Sequence, residues 1–321
     1  MENLSNKPER ANKLEEMAEK VANSAARLPQ IEEGTPQQTR AFRAERGNPF
    51  APAACDLASI EDIEIPIQRG VVSARCYTPH GIEDTAAPAL VFFHGGGYVL
   101  SNVEDYDTLT QHLALYSGCK VISVDYELAP AKKIKSIHRD GFDAYCWITE
   151  HASDLGIDQA KIAVGGDSAG GNLTVAVTLA CKREAFPMPA FQLLIYPSLD
   201  LAMSSQSVDE FASGYFLTKS GMSWFRSHYL ESAEQASDPE LNFLQQDLSG
   251  LPPAWLMTAG FDPLRDEGFA YAEALARFDV PVSHICYTDM IHAFVSFAGG
   301  IKAGEEALQR MGKVLQEALA K

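Results

Sequence analysis

Val164-Gly165-Gly166-Asp167-Ser168-Ala169-Gly170-Gly171 holds a G-x-S-x-G pattern between two very different neighbours. Before it, Lys161-Ile162-Ala163-Val164 reads as a buried strand. After it, Asn172 to Ala180 is rich in Ala and Leu and long enough for a helix. A strand, a sharp glycine turn and a helix form the context that makes this pattern a nucleophile elbow. The turn forces strained backbone angles on the serine, and glycines flank it because side chains have no room there. The serine hydroxyl then stands above the sheet, and the first turn of the following helix offers free N–H groups. A glycine-rich turn with an incidental serine is the plainer alternative.

Away from this stretch, apolar runs alternate with helical patterns. Ile60–Ile67 and Val71–Tyr77 alternate in polarity around Gly70 and predict an antiparallel hairpin at a sheet edge. Strands are then expected at Ala89–Phe93, Cys119–Tyr126, from Ile162, at Phe191–Pro197, at Ala254–Gly260 and at Val280–Tyr287. Helices are expected at 105–117, 137–150, 267–278 and 304–320. This order predicts an α/β fold, a mainly parallel eight-stranded sheet with helices on both faces. Residues 9–28 carry Leu14, Met17, Val21, Ala25 and Leu28 at helical spacing, and a short helical piece is expected around Gln37–Arg46. Residues 80–87 read as a loop. Residues 199–230, dense in aromatic side chains, break the alternation and read as an insertion that covers a site or buries its own small core.

With 321 residues, 46% of them hydrophobic, the chain can bury a sizeable core. A formal net charge of −17 disfavours nucleic acid and anionic membrane surfaces as partners. The six cysteines, Cys55, Cys76, Cys119, Cys146, Cys181 and Cys286, show no C-x-x-C and no zinc spacing. They read as free thiols of a reducing compartment. No signal-peptide core precedes residue 9 and no run approaches a membrane span, so a cytoplasmic protein is expected.

A serine hydroxyl needs a base, an acid to orient that base, and donors for the oxyanion that forms. His292, in Asp289-Met290-Ile291-His292, lies just past the last predicted strand and late enough for the order serine, acid, histidine. Asp262 follows a strand directly and fits the acid; Asp266 and Glu267 are its rivals, read as surface acids of the next helical turn that pair with Arg265 or solvent. His94-Gly95-Gly96-Gly97 follows another strand and reads as an oxyanion loop, with Gly95 and Gly96 preferred, Gly97 less so, and the Ala169 N–H as second element. His94 itself reads as a loop former. A phosphate loop is excluded because no Lys-Ser/Thr follows the glycines.

These residues resemble the bacterial esterases similar to mammalian hormone-sensitive lipase. The resemblance runs from about Ile60 to the end. It rests on His94–Gly97, Asp125-Tyr126-Glu127-Leu128-Ala129-Pro130, Gly166–Gly171, Gly214-Tyr215-Phe216-Leu217-Thr218, Asp262-Pro263-Leu264-Arg265-Asp266 and Met290-Ile291-His292. It implies an α/β-hydrolase core over 51–198 and 231–321, with a helical cap from residues 1–50 and the 199–230 insertion. It implies a carboxylesterase with Ser168, Asp262 and His292 as triad. Substrates would be small short- to medium-chain esters, bound with help from Tyr98, Tyr215, Phe216 and Leu217. No cofactor and no metal are implied, and a homodimer is left open. Three places depart from the family pattern. Ala131–Ser136 lacks its usual acid and second proline, and Asp289 and Ala293 stand where glycine is usual. Amide or lactone hydrolysis on the same triad is the enzyme alternative, and a ligand-binding protein on a hydrolase scaffold the non-enzyme one; an intact triad argues against the latter.

Overall fold

The computed structural model describes residues 10–82 and 86–320, so residues 1–9, part of the 80–87 loop and the last residue lie outside the described residues. The described residues begin with two α-helices, α1 (Glu16–Ala25) and α2 (Pro36–Arg46). A hairpin follows, β1 (Ser59–Ile67) and β2 (Gly70–Thr78). Strands and helices then alternate: β3 (Ala87–Phe93), α3 (Val103–Ser117), β4 (Lys120–Asp125), α4 (Ile134–Glu150), β5 (Ile157–Asp167), α5 (Ala169–Glu184) and β6 (Phe191–Ile195). Two helices, α6 (Gln206–Glu210) and α7 (Lys219–Tyr229), interrupt them. The alternation resumes with β7 (Ala254–Phe261), α8 (Arg265–Arg277), β8 (Val282–Ile291) and α9 (Lys302–Leu319).

The eight strands form one sheet in the order β1-β2-β4-β3-β5-β6-β7-β8. The first two ladders are antiparallel and the rest parallel. Because successive strand side chains point to opposite faces, β3 feeds two cores. Val91 and Phe93 join the side chains of α4 and α5 on one face. Leu90 and Phe92 join those of α3 and α9 on the other. Both faces are thus buried, as a parallel sheet requires. The free edge at β1 is lined by exposed Glu61, Asp62 and Glu64, with Pro66 near its end, which discourages pairing with another chain.

Several boundaries differ from the periodicity; β5, for example, starts at Ile157 rather than Ile162. Helix α1 starts late because the Glu15 carboxylate accepts the Met17 and Ala18 N–H groups and so caps it; Leu14 and Leu28 fall outside. Strand β8 runs on to Ile291. Its ladder with β7 shifts register, pairing Ala259 with Tyr287 but Phe261 with Ile291. The shift brings Gly260 against the β8 backbone, where a Cβ would lie 2.0 Å from the Thr288 carbonyl oxygen.

Helix α2 is capped by Thr35 and Gln38 acting reciprocally, with Pro36 at its first position. Thr218 caps α7 through the Gly221 N–H. The Trp224 indole N–H reaches the Gly34 carbonyl at 3.2 Å, joining the N-terminal segment to the 199–230 insertion. Among the described residues no helix is long and apolar enough to cross a membrane, and no three His, Cys, Asp or Glu side chains gather in a way that could hold a metal ion.

Candidate active site

Ser168 occupies the turn between β5 and α5 with φ 56° and ψ −116°, a conformation L-residues avoid. The chain passes so close to β3 that a Cβ on Gly170 would lie 1.8 Å from the Phe93 carbonyl oxygen, and one on Gly166 2.4 Å from it. The strain is held from the next strand. The Ser168 N–H donates to the Ile195 carbonyl at 2.9 Å, and its own carbonyl accepts from Ser198 at 3.0 Å.

The β7–β8 register shift sets the next two residues side by side, because Asp262 follows Phe261 and His292 follows Ile291. His292 Nδ1 lies 2.7 Å from Asp262 Oδ2, and His292 Nε2 lies 3.0 Å from Ser168 Oγ. A carboxylate only accepts, so the imidazole proton belongs on Nδ1 and Nε2 is left to accept from the hydroxyl. Asp262 is fully buried, with its other oxygen taking the Leu264 N–H at 2.8 Å. The Tyr196 ring packs on the imidazole at 4.8 Å between centroids.

The loop after β3 differs in one respect from the expectation. The Gly95 N–H donates to Asp167 Oδ1 at 2.6 Å and is not free for an oxyanion. The N–H groups of Gly96 and Gly97 donate to no group among the described residues, and these two glycines line the cavity in front of Ser168 while Gly95 does not. Gly97 therefore replaces Gly95 as the candidate donor beside Gly96 and Ala169. His94 is a scaffold for this loop: it is fully buried, burial pushes its pKa down to about 4, and its ring stacks on Tyr126 at 4.4 Å.

Asp167 itself was legible only as a letter of the motif. Its second oxygen accepts from the Tyr106 hydroxyl at 2.9 Å. Burial raises its carboxyl to about 6, against the opposing pull of the Tyr106 hydroxyl, the nearby His292 and the Gly95 N–H. A charged residue among eight otherwise small or apolar ones was the available signal. The rivals of Asp262 lie in the first turn of α8 as expected, and Asp266 pairs with Arg265, but both are buried rather than at the surface. Asp266 is buried against Arg265 at 2.9 Å. Glu267 is buried too and accepts the Leu199 and Asp200 N–H groups at 2.6 and 3.3 Å, fixing the chain where it leaves β6.

A cavity of about 830 Å³ opens over Ser168 and His292, walled by both helical segments, with Val21 and Phe42 on one side and Phe216, Leu217, Met222 and Phe225 on the other. Tyr215 is not among its walls. Its ring stacks on Phe261 at 5.4 Å and meets Phe211 edge-on at 5.3 Å. Tyr98 borders the cavity, but only 2% of it is exposed and its hydroxyl donates to Asn172 Oδ1 at 2.7 Å.

Residues 90–296 match a protein family described by the α/β-hydrolase fold. The chain is 38% identical to the carboxylic ester hydrolase LipN of Mycobacterium tuberculosis, over 78% of this chain and 68% of that protein. It is 35% identical to the ethyl acetate hydrolase of Pseudomonas putida, over 81% of this chain and 83% of that one. Among solved structures, an ester hydrolase from the metagenome of Lake Arreo, complexed with a bipyridine phosphonate derivative, superposes with a TM-score of 0.92. The match is at 33% identity and covers 96% of this chain and 100% of that one. This chain is therefore an enzyme of the α/β-hydrolase-fold family and belongs to its branch of esterases similar to hormone-sensitive lipase.

Proposed function

We propose that this carboxylic ester hydrolase cleaves short- to medium-chain esters through an acyl-enzyme on Ser168. The hydrogen-bonded line from Ser168 Oγ through His292 to Asp262 is the observation that carries this reading. Ser168 attacks the ester carbonyl carbon while His292 Nε2 takes its proton. Asp262 holds the imidazole tautomer and stabilises the imidazolium. The oxyanion accepts from the N–H groups of Gly96, Gly97 and Ala169 as the tetrahedral intermediate forms. The intermediate collapses, His292 protonates the leaving alcohol, and a water activated by His292 releases the acid.

The size and apolar lining of the cavity support esters with modest hydrocarbon groups on either side of the carbonyl. The Pseudomonas putida relative, named for hydrolysis of ethyl acetate, supports the short end of that range. Turnover of p-nitrophenyl esters from acetate to laurate by the natural chain and by Ser168→Ala tests the reading. The expected result is a maximum among the shorter esters and a fall of up to about 10⁶ in kcat for Ser168→Ala with the fold retained. Near-normal turnover by that variant would reject Ser168 as nucleophile; a maximum at laurate would reject the substrate range.

A further inference from the structure

The oxyanion loop is gripped from outside the cavity. Arg40 projects from α2 away from the cavity that its neighbours Thr39, Phe42 and Arg43 border. Its Nε donates to the Val99 carbonyl at 2.7 Å and its Nη2 to the Ala129 carbonyl at 2.5 Å. Among the described residues neither carbonyl accepts from any other group, and no carboxylate pairs with this guanidinium. Both carbonyls belong to the frame of the glycine loop. Val99 and Leu100 donate back to the Gly96 carbonyl at 3.1 and 2.8 Å, and Ala129 donates to the Tyr98 carbonyl at 2.8 Å. The guanidinium thus bridges two chain segments that hold the loop, one whose N–H groups bind the Gly96 carbonyl and one whose N–H binds the Tyr98 carbonyl.

The loop is also covered by the other helical segment. The Phe225 ring of α7 lies directly on Gly97, where a Cβ would come within 2.4 Å of it. Helix α7 is itself tied down by Lys133, whose ammonium donates to the His228 and Leu230 carbonyls at 2.6 and 3.2 Å. A loop with φ of 111° at Gly96 and 62° at Gly97 is built from residues with wide conformational freedom, so its donors stay aimed only if something holds them. Oxyanion donors act through being set in place before reaction.

Resting on the reading that Gly96 and Gly97 supply those donors, we infer that Arg40 is a positioning residue for ester hydrolysis: its fork-shaped bridge from the N-terminal helix to the Val99 and Ala129 carbonyls holds the oxyanion hole in register. The two helical segments then do more than wall the substrate; they hold the catalytic loop at two points, through Arg40 and through Phe225. Because Arg40 does not border the cavity, removing it deletes no side chain that meets the substrate.

The test measures kcat and KM on p-nitrophenyl acetate for Arg40→Ala and Arg40→Lys, beside thermal unfolding of each. The expected result is a kcat lower by about 10- to 100-fold in both, since a misplaced donor is felt only in the transition state, with KM within about twofold. Lysine keeps the charge but cannot span both carbonyls. Added methylguanidinium should restore part of the lost kcat in Arg40→Ala and none in Arg40→Lys. A folded Arg40→Lys with unchanged kcat, a rise in KM alone, or a loss that methylguanidinium leaves untouched in folded Arg40→Ala would each overturn the inference. Ser168→Ala run alongside separates the two levels. Its retaining turnover would reject the underlying reading, whereas its loss beside fully active Arg40 variants would reject only the role of Arg40.

Discussion

Asp167 sits next to Ser168 in sequence and holds the glycine loop after β3 through Gly95, so a single carboxylate joins the two stretches that the proposed mechanism uses. Its charge is expensive. A carboxyl raised from 3.8 to about 6 by burial favours the folded state most below about pH 4, and that contribution is lost as pH rises through about 6. Asp167→Asn cannot ionise, so its stability relative to the natural chain should rise between about pH 4 and pH 8, by up to about 3 kcal/mol. Its kcat should fall at the same time, because one amide oxygen replaces the two that hold Gly95 and Tyr106. Thermal melts across that range check the sign, and a relative stability that falls with pH would refute it. Ala293 is a second local strain. It follows His292 with φ 63°, the left-handed region that explains why glycine is usual there. That conformation costs Ala about 1–2 kcal/mol, of which the greater unfolded freedom of glycine offsets about 0.5–1. Ala293→Gly should therefore stabilise the fold by about 0.5–1 kcal/mol, read from denaturant midpoints; destabilisation would show that Ala293 packing outweighs the strain. Ser168, Asp262 and His292 could be picked from motif and chain order. The use of the Gly95 N–H could not, because nothing in a run of three glycines says which amide a distant carboxylate will take.

At the scale of elements, the insertion between β6 and β7 sorts its aromatic side chains into two jobs. Tyr215, half-buried, packs on Phe211 and Phe261, whereas Phe216 and Leu217 turn to the cavity. Phe216→Ala or Leu217→Ala should shift relative kcat/KM across acyl-chain lengths, each methylene in such a pocket counting for about 1–3 kcal/mol. Tyr215→Ala should instead lower stability by about 2 kcal/mol and leave the chain-length profile as it is. A changed profile in Tyr215→Ala, or unchanged profiles in the other two, would reverse the assignment. Sequence marked the segment as too aromatic to face water. It could not separate three adjacent residues, because the positive φ of 73° at Phe216 breaks any periodicity that would order them. The same limit applies to β8. Alternation ended the strand at Tyr287, and only the pairing with β7 shows that it continues through a register shift to Ile291.

Over the whole molecule, the sheet brings three distant stretches to one end: the glycine loop after β3, the elbow after β5, and the paired ends of β7 and β8. The inner parallel strands were legible because both faces of a parallel sheet are buried, so each shows an apolar run, whereas β1 and β2 were legible from their alternation in polarity. How the N-terminal helices sit on that end was not legible, because Arg40 meets backbone carbonyls, which carry no sequence signature. The account as a whole stands on covalent chemistry at Ser168. The most direct measurement is mass spectrometry of the enzyme treated with an organophosphonate ester, with residual ester hydrolysis followed in the same samples. The prediction is one phosphonyl group per chain, located on Ser168, with activity falling in proportion to its incorporation and no adduct on Ser168→Ala. Activity that persists in fully labelled enzyme, or is lost with the adduct on another residue, would contradict it.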